Sequence, residues 1–210
     1  MLEFESTKNS SSTPFVLLGA GGHARVLLAL ARSIGVNILG VCDPKLTTAD
    51  ISRWEGLDVL GDDAAIEAMG SANLNLILGV GQLINEKSRQ RLYVLWRERG
   101  YTFPALVHPM AWVAPGTSLS DGVQILAGAI IQPGCSIGEN SIINTNSSID
   151  HDCLIGANVH VAPGVTVCGS VKIGEGAYIG AGAIIVQNIN IPKNIAIRAG
   201  TLVAKDPTLP

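Results

Sequence analysis

The sequence predicts an α/β N-terminal domain, a small Rossmann-like parallel sheet, followed by an all-β left-handed parallel β-helix of hexapeptide repeats. Three observations carry this reading. An aliphatic residue opens every sixth position from Val113 to Ile197, fifteen times in succession without an insertion. Gly, Asn or Asp recurs three residues after the opener, as at Gly116, Asn140, Asp152 and Gly164. Ahead of this region, apolar runs alternate with helical patterns in the order of a parallel α/β unit.

In chain order, residues 1–13 are rich in Ser, Thr and Asn and are expected to form a disordered tail. Residues 14–107 are the expected nucleotide-sugar-binding domain, 108–204 the β-helix domain and 205–210 a short tail. Phe15–Leu18 reads as the first strand, 19–23 as a turn and 24–32 as a helix. A strand over 38–41 ends at Asp43-Pro44, and Val59-Leu60 marks a third. Asp62 or Asp63 caps a helix over 64–69. A strand over 74–80, a long helix over 86–99 and a last strand over 101–107 complete the unit.

A period of six fits neither a helix nor a hairpin meander and signals a β-solenoid. The opener and the residue four later, such as Ala129, Cys135, Cys153, Val159 and Ala183, face inward, while Gly or Asn takes a corner where φ is positive. Three hexads close one triangular coil, so residues eighteen apart stack at about 4.8 Å, and five coils make a prism roughly 24 Å long. The left hand is an exception to the right-handed crossover rule.

Charged residues make up 15% and aromatics 4%, with 24 glycines, a composition suited to a thin aliphatic core. A net charge of −3 argues against a basic face for nucleic acid or anionic membrane. No apolar run reaches the roughly 18 residues of a membrane span. The polar start lacks an apolar signal core, which predicts a cytoplasmic protein. Four cysteines are too few for a disulfide framework. Cys135 and Cys153, eighteen apart, are expected to stack as reduced fillers, with Cys168 as a filler or turn residue.

Two places carry chemistry. Gly19-x-Gly21-x-x-Ala24 follows the first strand and opens a helix, and Asp43 lies about twenty residues on. Backbone N–H groups there can cradle a diphosphate while the carboxylate takes ribose or base. His23 is either a phosphate donor or a surface histidine. The motif does not name the nucleotide, and the glycines can also serve strand–helix packing. An NAD(P)-dependent oxidoreductase and a non-catalytic nucleotide-sugar-binding trimeric scaffold are readings of another class.

The second place is the hexad with Asp150, His151 and Asp152. His151, two after its opener, is expected to point out from a flat face, with a carboxylate raising its basicity as a general base. Gly169, eighteen residues on, is expected beside it with an amide free to polarise a carbonyl. Base and amide donor suit acyl transfer. His160, half a coil further and near a corner, falls on another side of the prism. The two histidines then share a site only between subunits, which predicts a homotrimer with interfacial active sites. From position 109 onward only these two histidines occur, one short of a zinc set, so no metal is expected.

The stretches GAGGHARVL, DHDCLIG, HVAPG and GSVKIG together resemble bacterial hexapeptide-repeat sugar acyltransferases. The chain is similar over 14–204 to the sialic acid O-acetyltransferase type and to the UDP-4-amino-sugar N-acetyltransferases of the bacillosamine type. The resemblance implies acetyl-CoA as co-substrate, a UDP-sugar acceptor and a homotrimer. It implies His151 as base and Asp152 as its polarising partner. Asn144 would lie near the acceptor, and Gly21, Gly22, His23 and Asp43 would hold the UDP portion. His160 and Gly169 would lie near the acetyl thioester, with Gly182, Ala183 and Pro192 in the groove for the rest of the coenzyme. Asp152 departs from members that carry Glu there. The expected reaction is acetyl transfer to the 4-amino group of a UDP-linked amino-deoxy sugar, with sugar O-acetylation as the alternative.

Overall fold

The structure, a computed structural model, describes residues 13–84 and 86–207. Apart from Thr13 the expected N-terminal tail lies outside the described residues, as do the last three residues of the expected C-terminal one.

The α/β unit is built on β1 (Phe15–Leu18), whose four apolar side chains are all buried. It is flanked in parallel by β2 (Ile38–Cys42) and by the last strand of the unit, Asn75–Leu78. Such a strand reads as an unbroken apolar run because helices cover both of its faces. Helix α1 (Gly22–Ser33) buries Ala24, Leu27, Leu28, Leu30 and Ala31 against the sheet.

Three elements were not anticipated, one of them the 3-10 turn Ser71–Asn73. Helix α2 (Pro44–Thr48) starts at a proline and is capped by Asp43, but five residues are too few to show a period. Strand β3 (Arg53–Trp54) pairs antiparallel with β4 (Leu57–Gly61) and forms the sheet edge. Helix α3 (Asp63–Met69) has the expected cap, the Asp62 carboxylate accepting from Ala64 N. With the strand Asn75–Leu78 as β5, the sheet order is β3-β4-β2-β1-β5. Helix α4 (Ser88–Glu98) packs Tyr93 and Trp96 beneath it.

The strand expected over 101–107 is only partly formed. Thr102 makes one bridge to Asn75, and only Leu106–Val107 is strand, pairing with Gln124–Ile125 of the β-helix rather than with the α/β sheet. Pro104, which has no N–H for a ladder, separates the two pieces.

From there the chain forms a left-handed β-helix with three parallel sheets of six, five and six two-residue strands. Register is eighteen residues, as in Ile131↔Ile149↔Val167↔Ile185. Openers fill the core, and corners take positive φ at Asn140 (56°), Asp152 (59°) and Gly164 (67°). Cys135 and Cys153 are free buried thiols that donate to Asp150 O and Cys168 O at 3.0 and 3.2 Å.

The α/β unit rests on one face of the prism. Leu106, Leu126 and Ile142 share a core with Phe15, Leu17 and Leu27. His160, eighteen residues after Ile142, is the next outward residue on that face. This packing puts the glycine turn over the β-helix.

Candidate active site

Where the two units meet lies a cavity of about 1040 Å3, lined among others by Gly21, Gly22, His23, Asp43, Gln82 and His160. Gly21 caps α1 without a side chain, and a Cβ at Gly21 or Gly22 would meet nothing within 4 Å. The first-turn amides of a twelve-residue helix therefore open onto the cavity, the arrangement that suits a diphosphate. Asp43 Oδ2 accepts from Ala20 N and Oδ1 from Lys45 N, both at 2.8 Å. Its carboxylate thus ties the glycine turn to α2 before any ligand arrives.

His23 Nε2 lies 2.8 Å from Gln124 Oε1, while Gln124 Nε2 donates to Leu78 O at 3.1 Å. The amide orientation makes His23 Nε2 the donor, which leaves Nδ1 as an acceptor. Burial, then Arg89, pushes its pKa down to about 4. The ring is neutral at physiological pH and its one N–H is engaged, so the expected donation from His23 to a phosphate is not available.

His160 is buried, with Nδ1 3.2 Å from Gln82 O and Nε2 3.1 Å from Asn144 Nδ2. A carbonyl only accepts, so Nδ1 carries the proton and Nε2 accepts from the amide. Tyr178 meets the ring edge-on at 5.0 Å between centroids. Burial pushes this histidine to about 4 as well. Sequence spacing set His160 near a corner, but it sits on a flat face in a two-residue strand.

His151 shows the reverse. It occupies a corner turn and is exposed, not on a flat face. Nδ1 lies 2.8 Å from Asp152 Oδ2, and Asp150 Oδ1 accepts from His151 N at 2.8 Å. The Asp152 hydrogen bond, then the Asp150 charge, raises its pKa. With Nδ1 donating, Nε2 holds the free lone pair. A Cβ on Gly169 would lie 2.6 Å from that Nε2, so the ring covers the glycine one coil on. Cys168 N and Ser170 N donate to Ile185 O and His151 O, while the Gly169 amide between them has no acceptor among the described residues. Within one protomer His151 is not part of the cavity that holds His160.

Two family models match in tandem. The N-terminal domain of PglD matches residues 15–94, and the bacterial transferase hexapeptide (six repeats) matches 116–151, 134–169 and 152–187. No curated protein sequence matches the chain. Among solved structures, a histidine-to-asparagine variant of perosamine N-acetyltransferase from Caulobacter crescentus, in complex with CoA and GDP-perosamine, is 33% identical. It aligns over 92% of this chain and 89% of its own with a TM-score of 0.83. The chain belongs to the hexapeptide-repeat sugar acyltransferases. The acetyltransferase domain of PglB from Neisseria gonorrhoeae FA1090, in complex with acetyl coenzyme A, is similar at 29% identity, with coverage of 92% and 91% and a TM-score of 0.84. WeeI from Acinetobacter baumannii AYE, at 18% identity and a TM-score of 0.60, shares the fold.

Membership in this acyltransferase family sets aside the oxidoreductase and scaffold readings. The late-coil residues are spread over different environments. Gly182 is a corner at φ 66° and is exposed, and Pro192 is half-buried. Ala183 has its methyl fully in the core and its N–H donated to Gly180 O, so it offers no side chain to a groove. The hexad pattern itself had assigned it inward. Among the described residues no three His, Cys, Asp or Glu side chains converge as a metal site, and no helix is long and apolar enough to cross a membrane.

Sequence reasoning missed Gln82, whose backbone carbonyl orients His160, and Gln124, whose side-chain amide orients His23. Gln124 was within reach: it occupies the same outward position as Leu106, Ile142 and His160, each eighteen apart, and that stripe marks a covered face. Gln82 follows a strand in a loop and had no signal.

Proposed function

We propose that this acyltransferase transfers acetyl from acetyl-CoA to the 4-amino group of a nucleotide-linked amino-deoxy sugar, in a direct reaction within a ternary complex. The observation that carries the reading is the His151–Asp152 pair lying over Gly169, in a chain that also holds a glycine-turn nucleotide pocket. The amine nitrogen attacks the thioester carbonyl as His151 Nε2 takes its proton. The Gly169 N–H meets the developing oxyanion. The C–S bond then breaks, an amide forms, and the proton passes from the imidazolium to the departing CoA thiolate. Asn144 and His160 border the acceptor and thioester, with Gly182 and Pro192 along the coenzyme path.

The reaction brings together groups that one protomer keeps apart, so the active form is a homotrimer with sites between subunits. The corner bearing His151 borders a prism face whose outward column carries the exposed Trp112, Ile130, Ile184 and Leu202, with Ser148 and Thr166 between Ile130 and Ile184. A second copy of this chain fits that largely apolar face and carries its own His151 corner toward the neighbouring pocket. Light scattering of the purified protein is expected to give three times the chain mass, and a monomer active at the same specific rate overturns this arrangement.

The UDP carrier follows the sequence resemblance, whereas the Caulobacter relative was captured with GDP-perosamine. Product mass spectrometry with UDP- and GDP-linked 4-amino sugars and acetyl-CoA decides between them. Gain of one acetyl on a 4-amino sugar, with CoA thiol release, is the expected result. Acetylation of a sugar hydroxyl alone refutes the N-acetyl reading.

A further inference from the structure

Behind the cavity wall, α4 contributes a cation with no counter-ion. Arg89 is 2% exposed and no carboxylate pairs with it among the described residues. Nη1 donates to Leu78 O at 3.0 Å and Val80 O at 2.7 Å, and Nε to Asn140 O at 3.4 Å. Those carbonyls belong to both units: Leu78 ends β5, Val80 begins the wall running to Gln82, and Asn140 is a β-helix corner. Among the described residues Nη2 has no partner, and neither have Gln82 Oε1 and Asn140 Oδ1, which belong to residues lining the same small cavity of about 70 Å3. Burying an ion without a counter-charge is unfavourable, so folding alone would favour an apolar residue here.

The placement gives that charge a use. Leu78 O is shared between Arg89 and Gln124, the partner of His23, and Val80–Gln82 leads from Arg89 to the carbonyl that orients His160. One guanidinium therefore backs the partners of both buried histidines, the Gln124 amide and the Gln82 carbonyl. The cavity lining in front of it carries Asp43, Asp63 and Glu86 against Lys45 alone, a poor balance for an anionic ligand.

We propose that Arg89 is a positioning residue whose unpaired charge, buried behind the wall, fixes the Val80–Gln82 segment to the β-helix and draws a nucleotide diphosphate to the glycine turn. The ligand class rests on the function proposed above; the electrostatic part does not. Burial pushes Arg89 down to about 9, so it stays charged at neutral pH. His23 faces Gln124, Arg89 and His160; His160 faces Asn144, Gln82, Tyr178 and Arg89; Arg89 in turn faces Tyr93, whose OH donates to Glu139 Oε2. Burial and then Arg89 lower His23, and burial followed more weakly by Arg89 lowers His160.

The test compares Arg89→Met and Arg89→Lys with the parent protein, by NMR titration of the imidazoles, calorimetry with inorganic pyrophosphate, and kinetics. In Arg89→Met the His23 midpoint is expected to rise by about half a unit or more, and His160 by less. Pyrophosphate affinity falls, and KM for the nucleotide sugar rises, on the order of tenfold, with kcat changed far less. Arg89→Lys keeps the charge and restores most of both. Unchanged imidazole midpoints in Arg89→Met, or a lysine variant as weak as the methionine one, overturn the proposal. If Arg89→Met does not fold, Arg89→Gln takes its place, with the same expected and overturning outcomes. If no nucleotide sugar is turned over at all, the functional reading fails while the imidazole titrations still judge Arg89.

Discussion

The His151 imidazole lies directly over Gly169, whose missing side chain would occupy a point 2.6 Å from Nε2 and 2.7 Å from Cε1. Gly169 has no positive φ, so alanine there is opposed by the ring and not by the backbone. Gly169→Ala is expected to push the imidazole off Asp152. A displacement of about 1 Å at a reacting group can cost on the order of 10²-fold. The acetyl-transfer rate is expected to fall by that order while thermal unfolding stays near the parent, and an unchanged kcat would remove this contact from the mechanism.

Loss of the base itself costs more. His151→Ala is expected to lower kcat by about 10²- to 10⁴-fold. The base works neutral, and the carboxylates raise its pKa, so the rate climbs as pH rises through a midpoint above 6.5. Asp152→Asn removes that charge yet keeps a residue suited to φ 59°, so the acid limb is expected to move down with the fold intact. A pH–rate profile of the two proteins reads the shift directly, and coincident acid limbs count against Asp152 as the polarising partner.

Stability has its own pH signature. His23 and His160 titrate near 4 when folded and near 6.5 when unfolded, so between those values the unfolded chain binds more protons. Folding is therefore favoured above pH 6.5, and stability falls as pH drops from there toward 4. Each histidine contributes on the order of 3 kcal/mol across the window. Urea unfolding at pH 7 and pH 4.5 is expected to show the loss, and His160→Gln to reduce it by roughly half. A pH-independent midpoint over this range contradicts the buried neutral assignment.

Asp43 couples the glycine turn to α2 through Ala20 N and Lys45 N. Asp43→Ala strands both amides, and loss of such a cap costs about 0.5–2 kcal/mol. Calorimetry is expected to show a lower unfolding temperature together with weaker nucleotide binding. Full stability with weaker binding would mean that the carboxylate serves the ligand alone.

Much of this was legible from residues. The hexad phase predicted which side chains enter the core, the eighteen-residue register, and the positive-φ corners down to Asp152. Cap chemistry predicted a helix start at Asp62 or Asp63, and Asp62 is the cap. What escaped notice was short or non-local. Helix α2 and strand β3 are too brief to carry a period, and the strand expected through Val107 is interrupted at Pro104 because a ladder needs an N–H there. The two histidines were set on different sides correctly, but face and corner were exchanged: a strand in this helix spans only the opener and the residue before it.

By itself the sequence determined the solenoid, its register and the stacking of Gly169 on His151, because a strict period leaves no freedom in where each residue points. Only the tertiary structure decided which face the α/β unit covers. With that came the burial of His160, its pairing with Gln82, the commitment of the His23 N–H to Gln124, and the unpaired Arg89 behind them. These depend on two units meeting across about a hundred residues of chain, where solvent exclusion sets charge states and no local pattern records it.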